Sequence, residues 1–253
     1  MGVLNGRIAL VTGAGQGVGR GIALALARAG AAVAVTGRTE SKIVDTCRQI
    51  EEAGGKAHPI VCDVKDPADV GRTVNAAVGT FGGLDILVNN AYEGVLGPLL
   101  ATSDEDFMKG LLSGPVATFR FMRACHPHLK ARGGGDIVNL VTSASVRWDA
   151  SNYGAYAAAK QAVRALTRAA ACEWGKDGIR VNAIAPLADS PALDAWTKAS
   201  PEEARAFFAT IPLGRIGSCE HDIGRAVVAL VGPDLRYLTG ATIPLDGGQA
   251  YFG

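Results

Sequence analysis

The passage from Ile8 to Gly19 limits the possible folds more than any other. Ile8-Ala9-Leu10-Val11-Thr12 is a short apolar run without polar alternation, the pattern of a strand buried on both faces. It leads directly into Gly13-Ala14-Gly15-Gln16-Gly17-Val18-Gly19, after which Ile22, Leu24, Leu26 and Ala27 recur at helical spacing up to Gly30. Glycines in such a turn let backbone N–H groups approach a bound group closely. A strand, a glycine turn and a helix N-terminus in that order form a cradle for a pyrophosphate, whose charge the helix end favours. The spacing is Gly13-x-x-x-Gly17-x-Gly19, not the more widespread G-x-G-x-x-G.

The alternation of strand and helix then continues to the end of the chain. Strands are predicted over 32–36, 58–62, 85–88, 136–141, 179–184 and 241–245, and helices over 41–53, 67–81, 104–131, 153–174 and 220–231. A further helical insertion is expected from Ser190 to Thr210, and Gly114-Pro115 lies in the middle of the long 104–131 helix. Seven strands separated by helices imply a doubly wound α/β domain with a parallel sheet covered on both faces. The 253 residues contain no linker, repeat or low-complexity tract, so residues 1–253 are read as one domain.

Composition removes several classes. A formal net charge of +1 gives no reason to expect a nucleic-acid or acidic-membrane partner. The five cysteines, Cys47, Cys62, Cys125, Cys172 and Cys219, are scattered without a C-x-x-C pair, which fits a reducing cytoplasm. The amino terminus lacks a signal-peptide layout, and Gly6 stands where a myristoylation pattern starting at Gly2 wants Ser or Thr. Arg28 interrupts the longest apolar run, so no membrane span is expected. His58, His126, His128 and His221 form no metal-ligand pattern.

Tyr156 and Lys160 lie four residues apart in Tyr156-Ala157-Ala158-Ala159-Lys160, on one face of a predicted helix. A free tyrosine titrates near pH ~10, and a neighbouring cation favours the phenolate, bringing the group towards general acid–base use. Ser143 stands thirteen residues earlier, near the carboxyl end of a predicted strand, with Ser145 two residues on as a substitute.

With these residues in place, the chain resembles the short-chain dehydrogenase/reductases over nearly its full length. The matching segments are Thr12 to Gly19, Cys62-Asp63-Val64, Asn89-Asn90-Ala91, Ser143, Tyr156-x-x-x-Lys160, Arg180 to Pro186 and Leu245-Asp246-Gly247-Gly248. The resemblance implies a nicotinamide dinucleotide held by Gly13, Gln16, Gly17, Val18 and Gly19, with Asp63 and Val64 at the adenine and Asn90 steadying the central strands. It implies that Ser143 bonds the substrate oxygen, that Tyr156 moves the proton, and that Lys160 binds the nicotinamide ribose and lowers the tyrosine pKa. It also implies a small-molecule carbonyl or alcohol substrate and a homotetramer.

Cofactor choice turns on the end of the second strand, Val35-Thr36-Gly37-Arg38. An acid there would bind a ribose 2′-OH and repel a 2′-phosphate; Gly37 holds that position, and the Arg38 guanidinium suits a phosphate. NADP(H) is therefore preferred, with NAD(H) open.

Two departures stand out. The family's usual asparagine in the helix before the serine strand is replaced by Gly114, with Pro115 expected to distort the helix in its place. Tyr92 follows Asn89-Asn90-Ala91 where glycine is usual, and is expected either to reach toward the nicotinamide or the substrate mouth or to be a surface ring at a loop corner. Substrate contacts are expected from Tyr92, Ser145, Trp148, Tyr153 and Trp196, with Arg147, Asp149 and Asp189 as polar partners and 187–210 as a lid. The rivals are an NAD(H)-dependent alcohol dehydrogenase, a relative acting on an acyl-carrier-linked carbonyl or a steroid-like alcohol, and a catalytically impaired nucleotide-binding regulator.

Overall fold

A computed structural model describes residues 2–147 and 152–252 of the chain. Seven parallel strands form one sheet: β1 (Ile8–Val11), β2 (Ala32–Gly37), β3 (Lys56–Val61), β4 (Ile86–Asn89), β5 (Gly135–Leu140), β6 (Ile179–Pro186) and β7 (Thr242–Leu245). Their order is β3-β2-β1-β4-β5-β6-β7. Val11 registers with Val35 on one side and Val88 on the other. The connections reverse direction between β1 and β4, which opens a crevice beyond the carboxyl ends of those two strands.

Successive residues of β1 feed opposite layers, as a pleated strand requires. Ala9 and Val11 pack with α1 (Gly17–Arg28), α2 (Glu40–Glu52) and Val227 and Leu230 of the last helix. Ile8 and Leu10 pack with α3 (Pro67–Phe81) and with Phe121, Cys125 and Leu129. Both faces are thus covered, as the unbroken apolar runs require. Helix ends carry local signals: Asp66 caps α3 through a bond from the Ala68 N–H at 2.8 Å, Pro67 follows it, and Gly82 closes the helix at φ 84°.

Three expected helices differ in the structure. The 104–131 helix is split into α4 (Asp104–Leu111), a π-helical turn (Leu112–Val116) and α5 (Ala117–Ala131). Pro115 sits inside that turn and has no N–H, and the Ala117 N–H reaches back to Leu112 O, five residues away. The break is therefore at the residues where the sequence placed the distortion. The 190–210 insertion is two helices, α7 (Pro191–Ala199) and α8 (Pro201–Phe208), because Pro201 opens a new helix; α6 (Gly154–Trp174) precedes them. The 220–231 helix begins with a π-helical stretch (Cys219–Gly224) before α9 (Arg225–Val231). Gly21 of α1 faces the Cys219 backbone and Gly224 faces Gly21 O, so close that a Cβ at either position would collide.

Candidate active site

The expected nucleotide cradle lies in the crevice. Gly13, Gln16, Gly17, Val18, Arg38, Asp63, Val64 and Asn90 line one cleft of about 440 Å³, together with Lys42, Ala91, Tyr92 and Glu93. Gly19 lies behind it, where a Cβ would run into the Asn90 side chain and Gly13 O. Gly13 has φ +64°, and a Cβ there would stand 2.8 Å from Asn90 Nδ2. Asn90 itself staples the crevice: Nδ2 donates to Thr12 O at 2.9 Å and Gly13 O at 3.0 Å, and its N–H donates to Thr12 Oγ1 at 3.0 Å.

These residues fit a dinucleotide on the structure's own terms. The first turn of the twelve-residue α1 has no side-chain cap and no acid, so its N–H groups face the cleft with their partial positive charge uncompensated. Around the far end, Arg38 and Lys65 add cations, and Lys42 Nζ donates to Gln16 Oε1.

One feature of this end is not legible in sequence. Glu93 accepts from Arg38 Nη1 at 2.6 Å and Lys65 Nζ at 2.9 Å, with Lys109 Nζ at 3.3 Å. These cations and the Ser113 clamp on its backbone hold Glu93 in place, and bonds from Lys65, Lys109 and Arg38 keep its carboxyl below the usual range. Arg38 is about half exposed and bridges the cleft to Glu93 instead of standing free in solvent.

The residues expected to handle the proton, Ser143, Tyr156 and Lys160, collect past the carboxyl end of β5. Ser143 starts a short 3₁₀ turn (Ser143–Val146) and is buried, while Tyr156 and Lys160 lie on the first turns of α6. A buried ladder fixes that helix: Asn89 Nδ2 donates to Asn139 Oδ1 at 2.8 Å, and Asn139 Nδ2 donates to Thr167 Oγ1 of α6 at 2.9 Å. Each reactive side chain has its own partner. Ser143 Oγ donates to Asp246 Oδ2, the Tyr156 phenol lies beside the Thr142 side chain, and Lys160 Nζ donates to Leu140 O at 2.8 Å. Asp246, of the Leu245-Asp246-Gly247-Gly248 segment, is buried, and its carboxylate also accepts the N–H groups of Gly248, Gln249 and Ala250.

The expected lowering of the tyrosine pKa is corrected by this geometry. Burial pushes the Tyr156 phenol up to about 12, against a smaller lowering from Thr142, and the Lys160 ammonium lies 5.8 Å from its ring centroid. Burial in turn pulls Lys160 down to about 8. Burial thus favours the neutral form of both groups.

Other expected substrate residues separate into groups. Tyr153 tilts against Tyr156 with centroids 6.3 Å apart. Trp196 packs edge-on against Phe207 at 5.7 Å, and Arg147 lies 5.3 Å over the Phe207 ring. Ser145 Oγ donates to Thr142 O at 2.7 Å, a local bond that occupies its proton. Trp148 and Asp149 lie outside the described residues. Asp189 Oδ1 accepts the Cys219 N–H at the base of the insertion. Tyr92 is not a surface ring: it lines the cleft and turns inward, 5.0 Å from the Tyr156 ring centroid and 4.9 Å from Lys160 Nζ. Among the described residues no three His, Cys, Asp or Glu side chains gather as a metal site.

The family profile described as enoyl-(acyl carrier protein) reductase matches residues 13–250. A 12alpha-hydroxysteroid dehydrogenase of Clostridium sp. is 39% identical, with 98% of each chain covered. The chain belongs to the short-chain dehydrogenase/reductase family. As a member it is an enzyme acting on CH–OH and C=O groups. Among its dehydrogenase relatives, the 3beta-hydroxysteroid dehydrogenase 1 of Eggerthella lenta is 35% identical over 98% of this chain and 95% of the relative. A solved 7 alpha-hydroxysteroid dehydrogenase, complexed with NADH and 7-oxo glycochenodeoxycholic acid, superposes with a TM-score of 0.91. It is 30% identical, with 98% of this chain and 95% of that one covered.

Proposed function

We propose that the protein is an NADP(H)-preferring oxidoreductase that interconverts a ketone and a secondary alcohol on a bulky alicyclic substrate of hydroxysteroid type. The observation that supports it most is the gathering of Ser143, Tyr156 and Lys160 past β5, beside a glycine cradle and a cationic far end. Gly13, Gly17, Asn90, Asp63, Val64 and Lys160 would hold the dinucleotide, whose nicotinamide, when bound, supplies or accepts the hydride.

The chain's own residues handle the oxygen and its proton. In reduction, the Tyr156 O–H gives its proton to the substrate oxygen, and the phenol's raised pKa keeps that proton available at neutrality. The cationic form of Lys160 stabilises the phenolate left behind. Ser143 turns its O–H from Asp246 to a ketone oxygen; with an alcohol it keeps Asp246 and accepts from the substrate hydroxyl. The α7–α8 segment, with Trp196, Phe207 and Phe208 packed together, supplies an apolar cover beside Arg147. Its aromatic character and the hydroxysteroid relatives support the substrate class.

The NADP(H) preference rests on Arg38, with Lys42 and Lys65 nearby and Gly37 in the acid's usual place. A 2′-phosphate carries more charge than the Glu93 carboxylate and offers the guanidinium a bidentate partner. One observation favours NAD(H) instead: Arg38 is already satisfied by Glu93 at 2.6 Å. The remaining family expectation, a homotetramer, has support in exposed Phe107 and Met108 on α4 and Phe119 on α5.

The direct test is turnover with NADPH and a panel of ketosteroids, alicyclic ketones and acyl-thioester carbonyls. The steroid-like ketones should be reduced fastest, and Tyr156→Phe should lose about 100-fold or more in kcat while cofactor affinity stays. Nucleotide binding without turnover of any carbonyl or alcohol would instead make the chain a binding regulator.

A further inference from the structure

Tyr92 sits where its ring meets both Lys160 and Tyr156. Its side chain enters a slot built from glycines. A Cβ on Gly114 would stand 3.3 Å from Tyr92 Cε2, one on Gly110 would stand 2.9 Å from its hydroxyl oxygen, and one on Gly94 would meet the same hydroxyl. Gly110 is the last residue but one of α4 and Gly114 lies in the π-helical turn, so the end of α4 and the widened turn bring two of the three glycines against the ring. The backbone just after the ring is clamped from both sides: the Glu93 N–H donates to Ser113 Oγ at 2.9 Å, and Ser113 Oγ lies 2.7 Å from Glu93 O.

The clamped ring faces Lys160. The ammonium is 4.9 Å from the Tyr92 centroid and 5.8 Å from the Tyr156 centroid, and Lys160 is 4% exposed. An ammonium has three donors, and the hydrogen bond it makes here goes to Leu140 O at 2.8 Å. A buried cation with one hydrogen bond is costly, and an aromatic face within about 6 Å offsets part of that cost through its quadrupole. The same ring meets the Tyr156 ring edge-to-face at 60° with centroids 5.0 Å apart, which restricts the plane of the phenol.

We propose that Tyr92 is a positioning residue for proton transfer: its ring face holds the Lys160 ammonium charged, and its edge orients Tyr156. The inference rests on the role given to Tyr156 and Lys160 above. The other titratable groups near the cluster are already engaged. Tyr153 lies against Tyr156 from the start of α6, and Ser143 and Asp246 pair with each other from the ends of β5 and β7. On the α4 side Lys109 pairs with Glu93, and the β5–β6 pair of Asp136 and Arg180 sits at the opposite end of the strands. Among the described residues no carboxylate pairs with Lys160 to compete with the ring.

The test reads Lys160 directly, without cofactor or substrate. In protein carrying ¹³C-labelled lysine, the Lys160 Cε resonance is assigned by its loss in Lys160→Arg and titrated. Tyr92→Leu, which removes the face, should lower the Lys160 midpoint by about one unit. Tyr92→Phe should hold the wild-type midpoint, and Gly114→Ala, which crowds the ring by one methyl, should move it part of the way down. Because the charged form lies below the midpoint, the alkaline limb of the kcat profile should move to lower pH in Tyr92→Leu by the same amount. A superimposable Lys160 titration in Tyr92→Leu would overturn the proposal, and so would a Tyr92→Phe midpoint as low as that of Tyr92→Leu. If the leucine variant fails to fold, Gly114→Ala and Tyr92→Phe decide between the same outcomes. The titration stands even if no carbonyl substrate is turned over, so failure of the enzymatic reading and failure of this one are told apart.

Discussion

Lys160 holds a charge where the fold disfavours it, and that conflict can be measured. Its pKa is brought down to about 8 by burial, from an ordinary value near 10.5. Between those values the unfolded chain binds the proton and the native chain does not, so this group's contribution makes stability rise with pH across about 8 to 10.5. At neutral pH both states are protonated and the native state bears the full desolvation penalty. Lys160→Met should therefore raise the urea midpoint at pH 7, by the equivalent of about 1–3 kcal/mol, while abolishing turnover. A lower midpoint would mean that Leu140 O and the two rings more than repay the burial. Asp246 poses the opposite case. It accepts Ser143 and three backbone N–H groups, so Asp246→Asn sets an amide N–H₂ against donors and should cost about 1–3 kcal/mol by urea unfolding, with loss of kcat.

The β1–α1 junction and the segments after β4 and β5 build the site, and they differ in how far the sequence exposes them. Gly13, Gly17 and Gly19 were readable because each answers a local demand, a positive φ or a backbone approach, that the order of strand, turn and helix already announces. Gly19→Ala would push a methyl into Asn90 and Gly13 O; it should lower stability by about 1–3 kcal/mol and weaken nucleotide binding in calorimetry. The helix break at Gly114-Pro115 was readable for the same reason, since a missing N–H acts on its own helix. Side-chain pairings across long separations were not. Arg38 and Glu93 are 55 residues apart, and Ser143 and Asp246 are 103 apart, and no periodicity connects them. Tyr92 was visible as an odd residue, but its inward turn depends on three glycines from two elements meeting in space. At the loop after β4, Glu93→Gln should remove the carboxylate that competes for Arg38 and Lys65. NADPH should then bind several-fold tighter, while NADH changes little.

The whole molecule follows from a parallel sheet that must be covered on both faces, with strand order reversing between β1 and β4. That reversal brings the nucleotide cradle and the Ser143–Tyr156–Lys160 group to one end of the sheet, although residues 13 and 160 are far apart in sequence. None of the described helices is long and apolar enough to cross a membrane. If the exposed apolar residues of α4 and α5 are covered by copies of the chain, light scattering should give about four times the 26.0 kDa chain mass, and a mass near 26.0 kDa would count against the tetramer. Calorimetry of NADPH against NADH tests most directly the proposal that Arg38 sets the choice of nicotinamide cofactor. Wild-type protein should bind NADPH about tenfold or more tightly than NADH, and Arg38→Ala should erase the difference by weakening NADPH alone. Equal or tighter NADH binding, unaffected by Arg38→Ala, would contradict the claim for NADP(H), and binding of neither nucleotide would contradict it altogether.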